Sequence, residues 1–284
     1  VLAGHLARRH ARWEHAPASA ALAMQAILDQ YNAPQALDRA GDLERYIDLA
    51  KFTAETWPDR EEADDARIVL GQIHQGRGEY DQAVADFASV GERSPRRLEA
   101  QTRLGGAHWA RSRALARAGD DKKSEADAEA AEAVAILEKA LDDRKAAGAA
   151  MSDVGFLGNA ADLGAALTES GKAEEAIATL RPIVEAQAAK TGPAFGRLME
   201  SYLLAQVNAG QVEPAIAVEI GRAHVRHASR PLEHRMLGEV LPAVVLQNGN
   251  GADAIVVGKH LAHARDEQVD IAVAIDVRRF DAHR

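Results

Sequence analysis

The sequence contains no cysteine. That excludes a disulfide framework, a cysteine-based zinc site, an iron–sulfur cluster and a thiol nucleophile, and it leaves the redox compartment open. Aromatic residues make up only 4% of the chain, too few for one thick globular core of the usual kind. No apolar run approaches the ~18 residues of a membrane-spanning helix. Basic residues are the minority, 34 against 43 acidic, for a net charge of -9. Such a balance argues against nonspecific nucleic-acid binding, which needs clustered Lys and Arg to displace counterions. There is no initiating Met and no signal-like segment at the start, which points to a processed product or a part of a longer protein.

What is abundant is alanine, 61 of 284 residues, within a hydrophobic content of 47% that is too high for disorder. Alanine has the best helix propensity, and its small side chain lets helices approach closely. Thin layers of paired helices suit this composition.

A short pattern recurs along the chain: a Gly, then five residues later a small residue that opens an apolar stripe. Gly78 leads to Ala83, Gly171 to Ala176, Gly210 to Ala215 and Gly249 to Ala254, while Gly41 leads to Tyr46 in a looser match. Each Gly follows one segment with apolar residues at i, i+3, i+4 spacing and precedes another, as Ile68, Leu70 and Ile73 do before Gly78 and Tyr80, Val84 and Phe87 after it. Gly tolerates the left-handed backbone that ends a helix, so each Gly predicts a turn between two helices.

The best-formed unit runs from about Asp64 to Arg97 and carries Leu70-Gly71, Ala83, Phe87 and Pro95. A second carries Leu163-Gly164, Gly171, Ala176 and Leu180. This resembles the tetratricopeptide repeat (TPR), whose signature is a Leu-Gly pair followed by Ala, Phe and Pro. Other units are degenerate, and the longer ones resemble the extended variants of bacterial and kinesin-light-chain type. Leu104-Gly105 starts a unit whose turn, Gly119-Asp120-Asp121, comes seven residues late. It predicts a long hairpin of helices at roughly 96–118 and 121–146 that projects beyond its neighbours.

The expectation is one all-α domain, a right-handed α-α superhelix forming a TPR-like solenoid of about six helical hairpins. Residues 1–19 form an N-terminal helix or cap, 20–265 the repeats with the long hairpin at 96–146, and 266–284 a cap or tail. In the tail, alternation from Val269 to Val277 leaves open a capping helix or a strand that pairs with another chain.

The resemblance implies a concave groove, built from the first helix of each pair, that binds extended peptides or helices. Four register positions before each turn Gly place Asp65, Ile68, Gln72 and Gln75 there, with Glu99, Thr102, Gly106 and Trp109 from the next unit, anchored on Leu104-Gly105, and Arg197, Glu200, Leu204 and Val207 from a later one. The same rule, anchored on Gly41, places Leu28, Tyr31, Gln35 and Asp38 in the first unit. These positions hold no Lys and one Arg, so the terminal-carboxylate clamp of chaperone-binding relatives is absent. The groove reads as acidic and polar at its N-terminal end and apolar further on, suited to a helix or a mildly basic, apolar segment.

Eleven His residues raise the question of a metal. The pairs His224/His227 and His260/His263 lack a third ligand at usable spacing, so solvated or groove-edge histidines are expected, and no metal or other cofactor. Trp57 before Pro58 reads as packing. Asn248 to Asp253 lacks the leading Asp and closing Glu of a calcium loop, and Gly76-Arg77-Gly78 lacks the strand and Lys of a phosphate loop. No nucleophile elbow, HExxH or kinase signature occurs.

The functional expectation is a non-catalytic scaffold or adaptor, cytoplasmic, with a protein or peptide partner and neither nucleic acid nor membrane insertion. Two other classes stay open: the regulatory or recruiting region of a larger enzyme such as a bacterial signalling kinase, and a structural protein that self-associates through its ends or tail.

Overall fold

The computed structural model describes residues 2–187 and 193–211, and beyond them only five short strand fragments within 217–272. The hairpins expected around Ala215 and Ala254, the His224/His227 and His260/His263 pairs, the loop at 248–253 and the tail therefore lie outside the continuous described residues. Two compact units are distinguished, Val1–Ala166 and Leu167–Arg284.

Every regular element between residues 2 and 211 is helical. In the first unit α1 (Leu2–Arg9) and α2 (Ala16–Asn32) are followed by α3 (Arg39–Thr56), α4 (Glu61–Gly76), α5 (Tyr80–Ala88), α6 (Arg97–Ala118) and α7 (Lys123–Ala146). The unit boundary falls within α8 (Val154–Glu169), and α9 (Ala173–Ala186) and α10 (Pro193–Asn208) follow. Each helix from α1 to α6 packs on the next in the chain; α2 also touches α4 and α4 touches α6, so the first helices of successive pairs meet directly. Within the second unit α9 packs on α10.

Four of the turns obey one backbone rule. Gly78, Gly148, Gly171 and Gly210 have φ of 77°, 74°, 77° and 67°. After each, the next N–H reaches back five residues: Glu79 to His74 O at 2.9 Å, Ala149 to Arg144 O at 3.0 Å, Lys172 to Leu167 O at 2.9 Å and Gln211 to Gln206 O at 3.1 Å. This closure satisfies carbonyls that a helix end leaves open, and its left-handed residue favours Gly.

Gly41 breaks the expectation. It lies inside the first turn of α3, where its N–H donates to the Asp38 carboxylate at 2.9 Å. The chain turns instead through residues 33–38, so the register anchored on Gly41 is displaced, and Gln35 and Asp38 belong to a loop rather than to α2. Gly41 is demanded by the close approach of the capping carboxylate, not by a left-handed turn.

Within the hairpins, small residues admit large ones. A Cβ on Gly71 would stand 2.6 Å from Cε1 of Phe87, and on Gly105 2.6 Å from Cγ of Leu137. The alanines beside these contacts, Ala83 and Ala133, are fully buried. Gly105 lies 14 residues before Gly119, where Gly71 lies seven before Gly78, so the same knob-and-gap contact recurs in a longer hairpin. α6 and α7 have 22 and 24 residues against 16 and nine for α4 and α5. At 1.5 Å per residue the long arms reach about 33 and 36 Å against about 24 and 14 Å, as the late Gly119 predicts.

The N-terminal segment is end packing: Ala7 is buried with Ala20, Ala23, Met24 and Ala50, and Arg8 pairs with Asp48 at 2.6 Å. Trp57 packs edge-on to Phe52 at 5.3 Å, and its Nε1 donates to Ala11 O at 2.9 Å.

Candidate functional site

The first-helix face of the first unit is built from α4 and α6. Their opposite faces are committed to the core: Ala66 and Leu70 of α4 join the cluster of α2 and α3, while Ala107 of α6 joins Ala83 and Phe87. What remains on the shared face is mostly polar, and it is knitted across the two helices. Arg96 Nε binds Asp65 at 3.2 Å and its Nη2 binds Glu99 at 3.1 Å. Arg103 holds Glu99 from the other side at 2.8 Å. With its amide turned to suit both groups, Gln72 accepts from Arg103 at 2.6–3.1 Å. The result is a ladder from Asp65 through Arg96, Glu99 and Arg103 to Gln72. Burial pushes the Asp65 carboxyl up from its ordinary value against the pull of Arg96, and the nearby Glu99, Asp64 and Glu61 add to the rise.

The ladder revises the expectation of an acidic groove end. Asp65 and Glu99 are there, but each is already paired. Arg96 and Arg103 fall outside the four register positions read from sequence, so their contribution was invisible to a position-by-position reading. Asp64, the neighbour of Asp65, points the other way: it is buried, accepts from Arg67 at 2.8 Å and from Gly91 N at 3.1 Å, and ties the inter-hairpin loop to α4.

The other expected residues of this face divide into two groups. Gln75 and Trp109 are half-buried, and the Arg113 guanidinium lies 5.4 Å from the Trp109 ring centroid, a cation–π contact. Gly106, one turn before Trp109, borders open space: a Cβ there would meet nothing within 4 Å. Ile68, by contrast, is 1% exposed and packs with Val90 and Ala100, so it offers no surface. Thr102 holds the equivalent register position in α6; its Oγ1 donates to Leu98 O at 3.0 Å and accepts from Arg144 at 3.3 Å. This position leans towards the following chain segment in both hairpins. In the first hairpin Leu28 is exposed and Tyr31 half-buried, both on α2.

In the second unit Arg197, Glu200, Leu204 and Val207 form one exposed stripe on α10, opposite the buried Leu198, Ser201 and Ala205. Leu204 and Val207 are 42% and 41% exposed, the apolar part of that stripe.

Two histidines differ from the expectation of solvated or groove-edge side chains, while His5 and His15 are exposed. His74 and His108 both stand three residues after the Gly of a Leu-Gly pair, and both clasp the returning helix: His74 Nδ1 lies 2.6 Å from Asp86 and His108 Nδ1 2.8 Å from Glu129. Burial raises the Asp86 carboxyl above its ordinary value, and the bonded His74 opposes that rise. Among the described residues no group of three or more His, Asp or Glu is placed to hold a metal ion, and no helix is long and apolar enough to cross a membrane.

Antiparallel helix pairs with a Gly turn, a Leu-Gly gap filled from the returning helix, and contacts between successive first helices define a TPR-like helical repeat protein with degenerate units. No family model matches the chain, and neither does any curated protein. Among solved structures it is similar to a Podosopora anserina protein described as a kinesin light chain with nearly identical TPR-like repeats, at 18% identity and a TM-score of 0.47, over 66% of this chain and 89% of that one. A second structure of that protein, carrying one substitution, aligns at 17% identity and a TM-score of 0.49, over 70% of this chain and 90% of the other.

Proposed function

We propose that the chain is a non-catalytic protein-interaction scaffold that receives a segment of a protein partner on the faces of its first helices. In the first unit the contacting side chains are Asp65, Gln72, Gln75 and Trp109, with Thr102 and Ile68 supporting the face from beneath. In the second unit they are Arg197, Glu200, Leu204 and Val207. The observation that carries this reading is the division of labour on α4 and α6. One side of each helix is spent on the core, and the other presents paired polar groups, a half-buried Trp and bare backbone at Gly106. A face held by helices already fixed in place loses little freedom on binding, which favours affinity.

The test is alanine substitution at Gln72, Gln75 and Trp109 together, and separately at Glu200, Leu204 and Val207, followed by quantitative recovery of partners from the native source. Loss of a partner from either set, with helical content unchanged, supports the reading for that unit. Recovery unaffected by both sets refutes it.

A further inference from the structure

We infer that the long hairpin α6–α7 is hinged where Gly105-Gly106 of α6 faces Leu137 to Leu141 of α7, and that Arg111 latches the arm beyond this level to α5.

The first ground lies in α7. Asn159 of α8 stands four residues before Leu163-Gly164, the place that Ala66 and Ala100 hold before Leu70-Gly71 and Leu104-Gly105. All three are buried, but Asn159 alone of them is polar. With its amide turned to suit both groups, Asn159 donates to Leu137 O at 3.2 Å and accepts from Leu141 N at 2.9 Å. Those two groups are the ends of one i to i−4 rung of α7. Both residues are buried, so a bend that opened the rung without Asn159 would strand an N–H and a C=O away from water. Asn159 supplies a partner to each, and a side chain set into the ladder is one of the few causes of a sharp helix kink.

The second ground lies in α6 at the same level, because Gly105 is the gap that Leu137 fills. Gly105 and Gly106 are consecutive in the interior of α6, where each lowers helix stability. Both helices are therefore weakest at one height. On either side of it the hairpin is braced as a block. Towards the base, Arg144 donates to Leu98 O at 3.1 Å and to Thr102 Oγ1 at 3.3 Å. Towards the tip, Ser112 Oγ donates to Ala126 O at 2.7 Å, and His108 Nδ1 lies 2.8 Å from Glu129.

The latch is Arg111, which binds Asp81 of α5 at 3.1 Å as well as Glu129 at 3.4 Å. The Asp81 side chain is 77% exposed, so this tie is weak and sensitive to salt. Ala107, packed on Ala83 and Phe87, lies beside the pivot and moves little. Ser124 lies about 20 Å along α7 from Leu137, so a bend of about 20° carries it about 7 Å. Trp109 lies just beyond the hinge, so the setting of the arm bears on the face proposed above, although the hinge does not depend on that reading.

The experiment measures distances by double electron–electron resonance on the full chain. Because the sequence lacks cysteine, Ser124→Cys and Glu55→Cys introduce its two thiols, both at exposed positions, for spin labels on the arm and on α3. A control pair joins Glu55→Cys to Ala146→Cys, exposed at the base of α7. At about 50 mM salt the arm pair should show a main distance and a minor one displaced by about 7 Å, and the control pair a single distance. About 500 mM salt should raise the minor population up to about fivefold, and Arg111→Ala should do the same at low salt and remove the salt response. Gly106→Ala, which meets no steric resistance, should cut the minor population about fivefold. Asn159→Ala, which restores the alanine of the other units, should also cut it, with helical content unchanged. One arm distance unmoved by salt and by Arg111→Ala overturns the inference. So do two arm distances indifferent to both Gly106→Ala and Asn159→Ala, or a control pair that shifts together with the arm pair.

Discussion

Gly105 and Gly106 sit side by side in α6, yet replacing each with alanine should have opposite consequences. Both changes remove a helix-interior glycine, and each alone should gain about 1 kcal/mol of helix propensity. At 106 nothing opposes that gain, because a Cβ would meet no atom within 4 Å. At 105 the new methyl would lie 2.6 Å from Leu137 Cγ, 2.9 Å from its Cδ2 and 3.3 Å from Ala133 O. Leu137 is fully buried, with no open side to retreat into. Overpacking of this kind costs about 1–3 kcal/mol. Since the propensity gain is common to both variants, the gap between them isolates the clash: Gly106→Ala should be the more stable by about 1–3 kcal/mol. For a unit of this size that is about 2–4 °C in melting temperature per kcal/mol. Urea unfolding followed by far-ultraviolet circular dichroism, with the slope checked for constancy, measures it. If Gly105→Ala proves as stable as Gly106→Ala, Leu137 does not fill the gap at Gly105 and the pairing of α6 with α7 described here is wrong.

Asp64→Ala should destabilise by about 2 kcal/mol, because it takes the carboxylate from the largely covered Arg67, which keeps the Pro58 and Ala54 carbonyls, and the acceptor from the Gly91 N–H, whereas the exposed Asp65→Ala should cost less than about 1 kcal/mol; equal urea midpoints for the two would contradict the burial assigned to Asp64. Gly78→Ala, forced into a left-handed backbone at φ 77°, should lose about 1–2 kcal/mol in the same assay. The raised Asp86 carboxyl means that its charge is disfavoured in the folded state, a penalty present at neutral pH and relieved as pH falls through the raised folded value towards the ordinary one. The stability of the unaltered chain relative to Asp86→Asn should therefore rise between about pH 7 and about pH 4, and a difference that stays flat or falls would speak against burial as the governing cause.

Much of the fold is legible in the sequence because the repeat is written in backbone chemistry. Left-handed turns favour Gly, and Gly78, Gly171 and Gly210 occupy them. The long hairpin follows from the late Gly119, whose φ of 142° also favours Gly although its backbone differs from that of the other turns, and its helices end at Ala118 and Ala146, as expected from the delay. Gly41 misleads because a second cause, the approach of a capping carboxylate, produces the same residue. The face is legible only in part. Spacing identifies positions on one helix, and Gln72, Gln75 and Trp109, which it singles out, are half-buried. It does not reveal that position 68 is covered by Val90 and Ala100 of later elements. Nor does it reveal that Arg96 reaches Asp65 and that Gln72 joins Arg103, because those contacts depend on how two helices meet, whereas Arg96–Glu99 and Arg103–Glu99 are i,i+3 and i,i+4 pairs written in the sequence. The histidines carried a readable signal, their shared place three residues after Leu70-Gly71 and Leu104-Gly105, but only the returning helices supply their carboxylate partners.

The claim that the first-helix face receives a partner is tested most directly by crosslinking mass spectrometry of the protein isolated from its native source. A photoreactive residue is placed in turn at Gln75, beside the Arg103–Gln72 ladder, and at Ala131, an exposed position on α7. The account predicts that one partner peptide is crosslinked from position 75 and not from 131, and that Trp109→Ala abolishes the crosslink without loss of helical content. Crosslinks from 131 alone, or from both sites alike and indifferent to Trp109→Ala, would contradict it.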